Sequence, residues 1–519
     1  MGKICDAATA AAVIADGQAV ASTGVLAWST PDVVLRAIGE RFDATGTPQG
    51  LTFYFPVATG DAMGIPGMEH IARKGLLRRI VSGTYINPRH PETGARPAMT
   101  ELVQNDLVEA YTWPIGATMH WLREVARRGP GYLTKVGLGT FADPRHGGGK
   151  FTSLATDDLV QVVELAGEEY LFYPTWPLDV GIIRASSADE YGNLSFEDQP
   201  LTTCALAMAL AVRASGGKVI AQVGRIVPRG SRVAHEVRVP GALVDHVVVA
   251  PGEPAGTDVH HDPGYLRVMP DMLDRLPRLP AGPKKVIARR VAAEVRPGEM
   301  SIFGFGASSD AVLVMAEDGL LDGDWLGGHE FTTEHGPFGG AVMPGWQFSP
   351  NYAPEGLLDG LSHFDFIDGG GCKFAALAFG QFDAAGNVNV TRFGSSNPGA
   401  GGFTDIAVNA ERLVFAGTFT TGGLEVECTD GALTILREGR VNKFVSEVDA
   451  VTYRVRDGVC RGQTARLVTE RAVFDATREG PTLVEVAPGI DVQRDVLDLI
   501  DFPVRVDGPA LMNPACFRP

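Results

Sequence analysis

No two of the six cysteines (Cys5, Cys204, Cys372, Cys428, Cys460, Cys516) form a CxxC pair, so the sequence offers neither a disulfide framework nor a zinc pattern. Scattered thiols of this kind fit a reducing, cytoplasmic setting. Long apolar runs are missing too: none reaches the ~20 residues a membrane helix needs. The opening MGKICDAATAAAVIADG reads as an alanine-rich helix rather than a signal peptide. Positive charge is scarce, with 45 Lys and Arg against 62 Asp and Glu and a net charge of −17. That balance argues against a nucleic-acid or anionic-membrane surface, and it leaves any polyanionic ligand to local donors. His235, His260 and His261 lack metal-ligand spacing and read as solvated or core residues, so no metal site is expected. What is plentiful is apolar content, 45% of 519 residues, which is too long a chain for one ordinary core and ample for two or more domains.

The chain reads as alternating helix and strand. Asp6 to Ile14 is predicted helical, Gln18 to Gly24 a strand, and Thr30-Pro31-Asp32 the start of an amphipathic helix through Val33, Leu35 and Ile38. LTFYFPV (51–57) is a buried strand, a helix follows near Met68 to Lys74, and Arg79 to Ser82 is the next strand. Leu102 to Glu109 and Gly116 to Arg128 are predicted helical. Such alternation, with glycine at strand ends, implies an α/β fold with mostly parallel sheets covered on both faces. The loop VGLGTFADPRHGGGK (136–150) has five glycines in fifteen residues, and reads equally as a ligand-facing segment or a plain surface loop.

The pattern recurs. Asp189-x-x-Gly192-Asn193-Leu194 matches Asp383-x-x-Gly386-Asn387-Val388, in each case a turn within a hairpin. At the same offset KVIAQV (218–223) matches RLVFAG (412–417), and STPDVVL (29–35) matches ASSDAVL (307–313). Three ordered matches imply two copies of one unit. We therefore expect an N-terminal domain over 1–262, a proline-rich linker over 263–285 and a C-terminal domain over 286–519, the two domains facing each other across a cleft.

One stretch of the second copy concentrates chemistry. FTTEHGPFGGAVMPG (331–345) sets Glu334 after a β-branched run and just before Gly336, Pro337, Gly339 and Gly340, a strand end running into a tight turn. A glutamate there is either a nucleophile or a cap for the next element. Upstream, Gly304-Phe305-Gly306-Ala307-Ser308 precedes a helix; it lacks the third glycine of a dinucleotide fingerprint, so NAD is discounted, but its N–H groups suit a phosphate or a pantetheine amide. Downstream, Gly399-Ala400-Gly401-Gly402-Phe403 is a second backbone-exposing loop. Lys284, Lys285, Arg289 and Arg290 read as a solvated helix face rather than a phosphate clamp.

With GLLRRIVSG (75–83), EAYTWPIG (109–116), VGLGTFADPRHGGG (136–149), EHGPFGG (334–340), FDFIDGGG (364–371), GAGGF (399–403), AGTFTTGGL (416–424) and TERAVF in order, the chain resembles the family I CoA-transferases, in their fused single-chain acetate/propionate form. The resemblance implies that Glu334 is the nucleophile and that Gly402 of the Gly401-Gly402 pair offers an oxyanion N–H. It also implies that Gly304 to Ser308, with Gly401, contacts CoA, and that Thr59, Gly60 and Ile115 line the acyl pocket. Relatives usually carry glutamine where this chain has Thr59 and Ile115, and GxGxP is here GFGAS, so the acid is expected to be larger or less polar than acetate. Coenzyme A is then a substrate, with no tightly bound cofactor, no nucleic-acid or membrane partner, and a homo-oligomer of two or four chains. A hydrolase using Glu334 with water, and a non-catalytic sensor on the same doubled fold, are the alternatives; acid-dependent exchange without net thiol release separates a transferase from both.

Overall fold

The computed structural model describes residues 2–85, 93–322 and 325–518, and the chain divides into two compact units. The first comprises Met1–Leu266, Leu357–Phe364 and Arg392–Gly402; the second comprises Arg267–Gly356, Asp365–Thr391 and Phe403–Pro519.

The first unit is built on strands β1 (Ile4–Cys5), β2 (Ala19–Ser22), β3 (Leu51–Phe55), β4 (Leu77–Ser82), β5 (Glu109–Thr112), β6 (Val180–Asp189), β7 (Lys218–Val227) and β8 (His246–Val249), in the order β1-β8-β7-β6-β2-β3-β4-β5. Every named neighbour pair is parallel. β6 is buried at all ten positions, as its nearly unbroken small and apolar sequence requires of a central strand with both faces covered. Strand order reverses between β6 and β2, and the carboxyl ends on either side of such a switch are where open α/β sheets bind ligands. Helix α1 (Asp32–Thr45) begins at a buried carboxylate that accepts the Gly67 N–H at 2.7 Å and meets His70 Nε2 at 3.0 Å. Burial opposes ionisation of Asp32, but His70 and the Gly67 N–H outweigh it and hold the carboxyl below its ordinary range. The predicted helix over 102–109 is corrected: the helix spans Ala98–Gln104, and Glu109–Thr112 is the strand β5. Pairing of Ile80 with Ala110 and Val81 with Tyr111 overrides the helical preference of Glu109 and Ala110. The glycine-rich 136–150 loop folds onto this edge strand, with Thr112 N–H donating to Gly149 O at 2.8 Å. Asp143, fully buried, accepts the Gly139 N–H at 2.9 Å and so fixes the loop from inside.

The second unit repeats the plan with β9 (Met300–Phe303), β10 (Glu330–Thr332), β11 (Pro337–Phe338), β12 (Phe374–Ala378), β13 (Arg412–Ala416), β14 (Thr464–Val468), β15 (Ala472–Thr477), β16 (Gly480–Val486) and β17 (Arg505–Leu511), in the order β11-β10-β9-β12-β13-β14-β15-β16-β17. β10 to β14 in that order are parallel. Thus β10-β9-β12-β13 answers β3-β2-β6-β7, strand for strand. Both hairpins of the sequence repeat are closed by the same clasp: Asp189 Oδ1 accepts the Tyr191 and Asn193 N–H groups, and Asp383 Oδ1 accepts those of Ala385 and Asn387. Phe303 of β9 is fully buried, edge-on to Phe331 of β10 at 5.7 Å and to Phe374 of β12 at 6.3 Å. Truncating it to alanine would cost about 3–5 kcal/mol.

FIDGGGCKFAALAFGQFD opens as the end of a helix (Gly360–Asp368) before β12. One expectation for this unit fails. Lys285, Arg289 and Arg290 on helix α3 (Pro283–Ala292) are not a solvated face: each is buried and paired, Lys285 with Glu317 at 2.6 Å, Arg289 with Asp318 at 3.0 Å, Arg290 with Glu485 at 2.7 Å. These three acids lie 29 to 195 residues away, beyond the reach of a local reading, although Arg290 also pairs with Glu294, four residues on, at 2.8 Å. Among the described residues no helix is long and apolar enough to cross a membrane, and no group of three or more His, Cys, Asp or Glu could hold a metal ion.

Candidate active site

In the second unit Ile302 pairs with Thr332 across the parallel strands β9 and β10, so Gly304 and Glu334 each stand two residues past a matched pair, at adjacent carboxyl ends. β10 reverses at once into β11, with Thr332 opposite Phe338, and Glu334 lies in the reversing turn, half-buried among buried Thr333, His335 and Gly336. The turn is tied on every side. Gly339 N–H donates to Phe331 O at 3.0 Å, Thr332 Oγ1 to Pro337 O at 2.5 Å, and Thr333 Oγ1 to Ser349 O. Asn351 Nδ2 donates to Gly339 O at 2.7 Å and to Phe331 O at 3.2 Å. Gly340, at φ +68°, is required: a Cβ there would collide with the Tyr352 carbonyl. A carboxylate on so fixed a turn can meet an electrophile in one geometry, which is what a nucleophile needs.

Beside it, the loop after β9 turns its backbone outward. Gly304 N–H is used by Ala376 O at 2.8 Å, Ser308 Oγ donates to Gly304 O at 2.9 Å, and Ser309 Oγ to Gly306 O at 2.8 Å. The N–H groups of Phe305, Gly306, Ala307 and Ser308 have no acceptor among the described residues. They form a run of donors at the start of helix α4 (Ala311–Glu317), suited to phosphate or amide oxygens. The Phe305 side chain is 46% exposed and rests near Trp346 and Phe348, at 6.1 and 5.6 Å. Asp310 closes the loop, its carboxyl pushed up to about 6 by burial, against the attraction of Lys284.

The remaining candidates belong to the first unit. Gly401 N–H donates to Gly83 O at 3.1 Å, Ile115 N–H donates to Gly401 O at 3.0 Å, and Tyr85 N–H to Pro398 O at 2.7 Å. The GAGGF loop is thereby stitched to the carboxyl end of β4 and to the start of helix α2 (Ile115–Ala126). Gly83 has to lack a side chain, since a Cβ would come within 2.6 Å of Ile115 Cγ1. Gly402 is buried, and its N–H has no acceptor among the described residues. Thr84 joins the group: its Oγ1 accepts the Ala58 N–H at 3.0 Å, next to Thr59, and its methyl lies against Gly401. Thr59 and Ile115 are both fully buried; Thr59 Oγ1 donates to Thr23 O at 3.2 Å, and Ile115 packs on Gly83. Gly60, at φ +88°, follows with its Cα face against Pro66. The structure thus gathers Thr59, Gly60, Ile115, Gly401 and Gly402 around the ends of β3 and β4, and Glu334 with Gly304 to Ser308 around the ends of β10 and β9. Sequence reading missed Thr84, Gly83, Ser349 and Asn351. Gly83 stood inside a quoted motif; nothing local marks the other three.

The profile of the coenzyme A transferase family matches residues 5–250. A caffeate CoA-transferase of Acetobacterium woodii is 38% identical over 510 residues, which is 97% of this chain and 94% of that one. The acetate CoA-transferase YdiF of Escherichia coli is 36% identical over 93% of this chain and 88% of its own. The crystal structure of the acyl-CoA transferase YdiF of E. coli O157:H7, a thioester complex with CoA, superposes with a TM-score of 0.89 at 32% identity, over all of this chain and 96% of that one.

Proposed function

Because the chain belongs to the coenzyme A transferase family, in fused single-chain form, and is a CoA-transferase, we propose that it moves CoA from an acyl-CoA to a free carboxylic acid by a ping-pong route with Glu334 as the covalent nucleophile. What carries this reading is the placing of Glu334 on a fixed turn, one strand from a loop of unused N–H donors. The carboxylate attacks the thioester carbonyl; the C–S bond breaks, and a mixed anhydride and CoA thiolate result. The thiolate then attacks the glutamyl carbonyl, the acyl carboxylate leaves, and a glutamyl-CoA thioester remains. A second acid reverses both steps, so no proton is gained or lost overall.

Each attack passes through a tetrahedral oxyanion. The unused N–H of Gly402 is the donor we assign to it, in a buried loop where a fixed dipole counts for more than in water. The Phe305 to Ser308 donors are assigned to CoA, which enters as substrate, and no tightly bound cofactor is inferred. Since the anhydride is high in energy, contacts with the non-reacting length of CoA must help to reach it. Water has to be kept from both intermediates, or transfer becomes hydrolysis.

The fully buried, apolar Ile115 supports an acid larger or less polar than acetate, and the caffeate relative is in keeping with that. Six unpaired thiols support a reducing, cytoplasmic setting. A dimer or tetramer is expected, and light scattering decides between them. The test of the central reading is incubation with acyl-CoA and no acceptor acid. CoA should become attached to the peptide containing Glu334, with an equal amount of free acid, and Glu334→Ala should do neither. Attachment at another carboxylate, or net thiol release independent of acid, would overturn the proposal.

A further inference from the structure

Ser349 combines three features that ordinary loop residues do not share. It is buried, its backbone sits at φ +109°, where an L side chain is strained, and its Oγ has no hydrogen-bond partner among the described residues. Strain of this kind persists only where the surroundings enforce it, and here they are specific. The Ser349 carbonyl accepts the hydroxyl of Thr333, the residue before Glu334. Two residues on, Asn351 clasps Phe331 and Gly339 on either side of the same turn. One and three residues back, Phe348 and Trp346 lie against Phe305 of the donor loop. A run of six residues, Trp346 to Asn351, therefore touches both parts of the second unit's site.

We propose that this run is a strap joining the donor loop to the nucleophile turn, and that Ser349 is a positioning residue that fixes Glu334 through Thr333. The inference rests on the reading of Glu334 as nucleophile. The strained peptide aims its carbonyl at the Thr333 hydroxyl, and that hydrogen bond sets the backbone from which the Glu334 side chain springs. Phe305, resting on the other end of the strap, transmits its own position to the same turn. Thr333→Val removes the hydroxyl and keeps the shape; Thr333→Ser keeps the hydroxyl; Ser349→Gly relieves the strain, since glycine adopts φ +109° freely.

The experiment follows the rate of CoA attachment to the Glu334 peptide after mixing with acyl-CoA, together with steady-state kcat, KM and Tm. Thr333→Val should slow attachment and kcat on the order of 10- to 100-fold, as a small misplacement of a reacting group does. KM for acyl-CoA should stay within about twofold, and Thr333→Ser should restore most of the rate. Ser349→Gly should raise Tm yet slow attachment several-fold, a pairing that a merely structural role would not give. Combining Phe305→Leu with Ser349→Gly should cost less than the product of the single losses, because both act through one strap. Attachment at the wild-type rate in Thr333→Val, or a higher Tm with full activity in Ser349→Gly, would overturn the strap while leaving Glu334 as nucleophile. No attachment at Glu334 in the wild type would overturn both. Should Thr333→Val fail to fold, Ser349→Gly decides alone.

Discussion

The two units share a strand order and a helix-capped loop after the first matched strand, but they end their equivalent strands differently. β3 runs out into Ala58, Thr59 and Gly60, every one buried and bonded inward; β10 runs out into Thr333 and Glu334, with the carboxylate half-buried in a turn. The first unit has carboxylates that serve folding: buried Asp32 accepts the Gly67 N–H, and half-buried Glu69 accepts the Ala98 and Met99 N–H groups at the start of the next helix. On the proposed reading, one scaffold supplies walls in one copy and a reacting group in the other. The α/β unit itself does not determine which; two or three residues at a strand end do.

The sharpest way to break that contrast is to remove the carboxylate that only the second unit presents. Glu334→Ala should lower transfer by roughly 10⁴-fold or more, with Tm nearly unchanged, because a half-exposed turn residue contributes little to packing. If Tm collapses along with activity, Glu334 is structural, like the acids of the first unit. Next in size is the first unit's one assigned contribution to chemistry. Gly402→Pro deletes the N–H assigned to the oxyanion and should cost about 10²- to 10³-fold in kcat, while acyl-CoA binding, followed by titration calorimetry, stays near that of the wild type. Equal losses in binding and kcat would place Gly402 among packing residues.

A third test concerns folding alone. Burial pushes the Glu69 carboxyl up to about 7, although the Ala98 and Met99 N–H groups pull the other way. Since the folded state then holds its proton more tightly than the unfolded chain, this group's contribution is fully present at acid pH and is lost as pH rises from about 4.5 through about 7. Denaturant titrations across that range should show wild-type stability falling relative to Glu69→Gln by up to about 3 kcal/mol; parallel curves would mean that Glu69 ionises normally. The smallest effect belongs to Ile115→Val, which removes one methylene from a fully buried wall. It should cost about 1 kcal/mol of stability and shift preference between acids one carbon apart by at most about tenfold, as read from competing acceptors. An unchanged acid profile would take Ile115 out of the acyl pocket.

Much of this was legible before any coordinates. The D-x-x-G-N signals repeat because a carboxylate accepting two N–H groups is a local device, written within five residues, and the turn that carries Glu334 is marked by the glycines it cannot do without. What stayed hidden was non-local. Glu109 was misread as the end of a helix because strand pairing with β4 outweighs its intrinsic preference. The buried cations of α3 were misread because their acids come from Glu317, Asp318 and Glu485. Ser349 carries a positive φ that no glycine or asparagine advertises.

The place of Gly399 to Gly402 has a consequence for how the protein is made. This loop, bonded to Gly83 and Ile115, lies in sequence 136 residues beyond Leu266, the end of the first unit's continuous segment. A ribosome adding about 5–20 residues per second would deliver it roughly 7 to 27 seconds after Leu266. Until the end of that interval the nascent first unit has its sheet but still lacks its final segment, Arg392–Gly402, so the carboxyl end of β4 lies without that loop while the second unit is still emerging. Synthesis order therefore leaves the loop carrying Gly402 among the last parts of the first unit to be added.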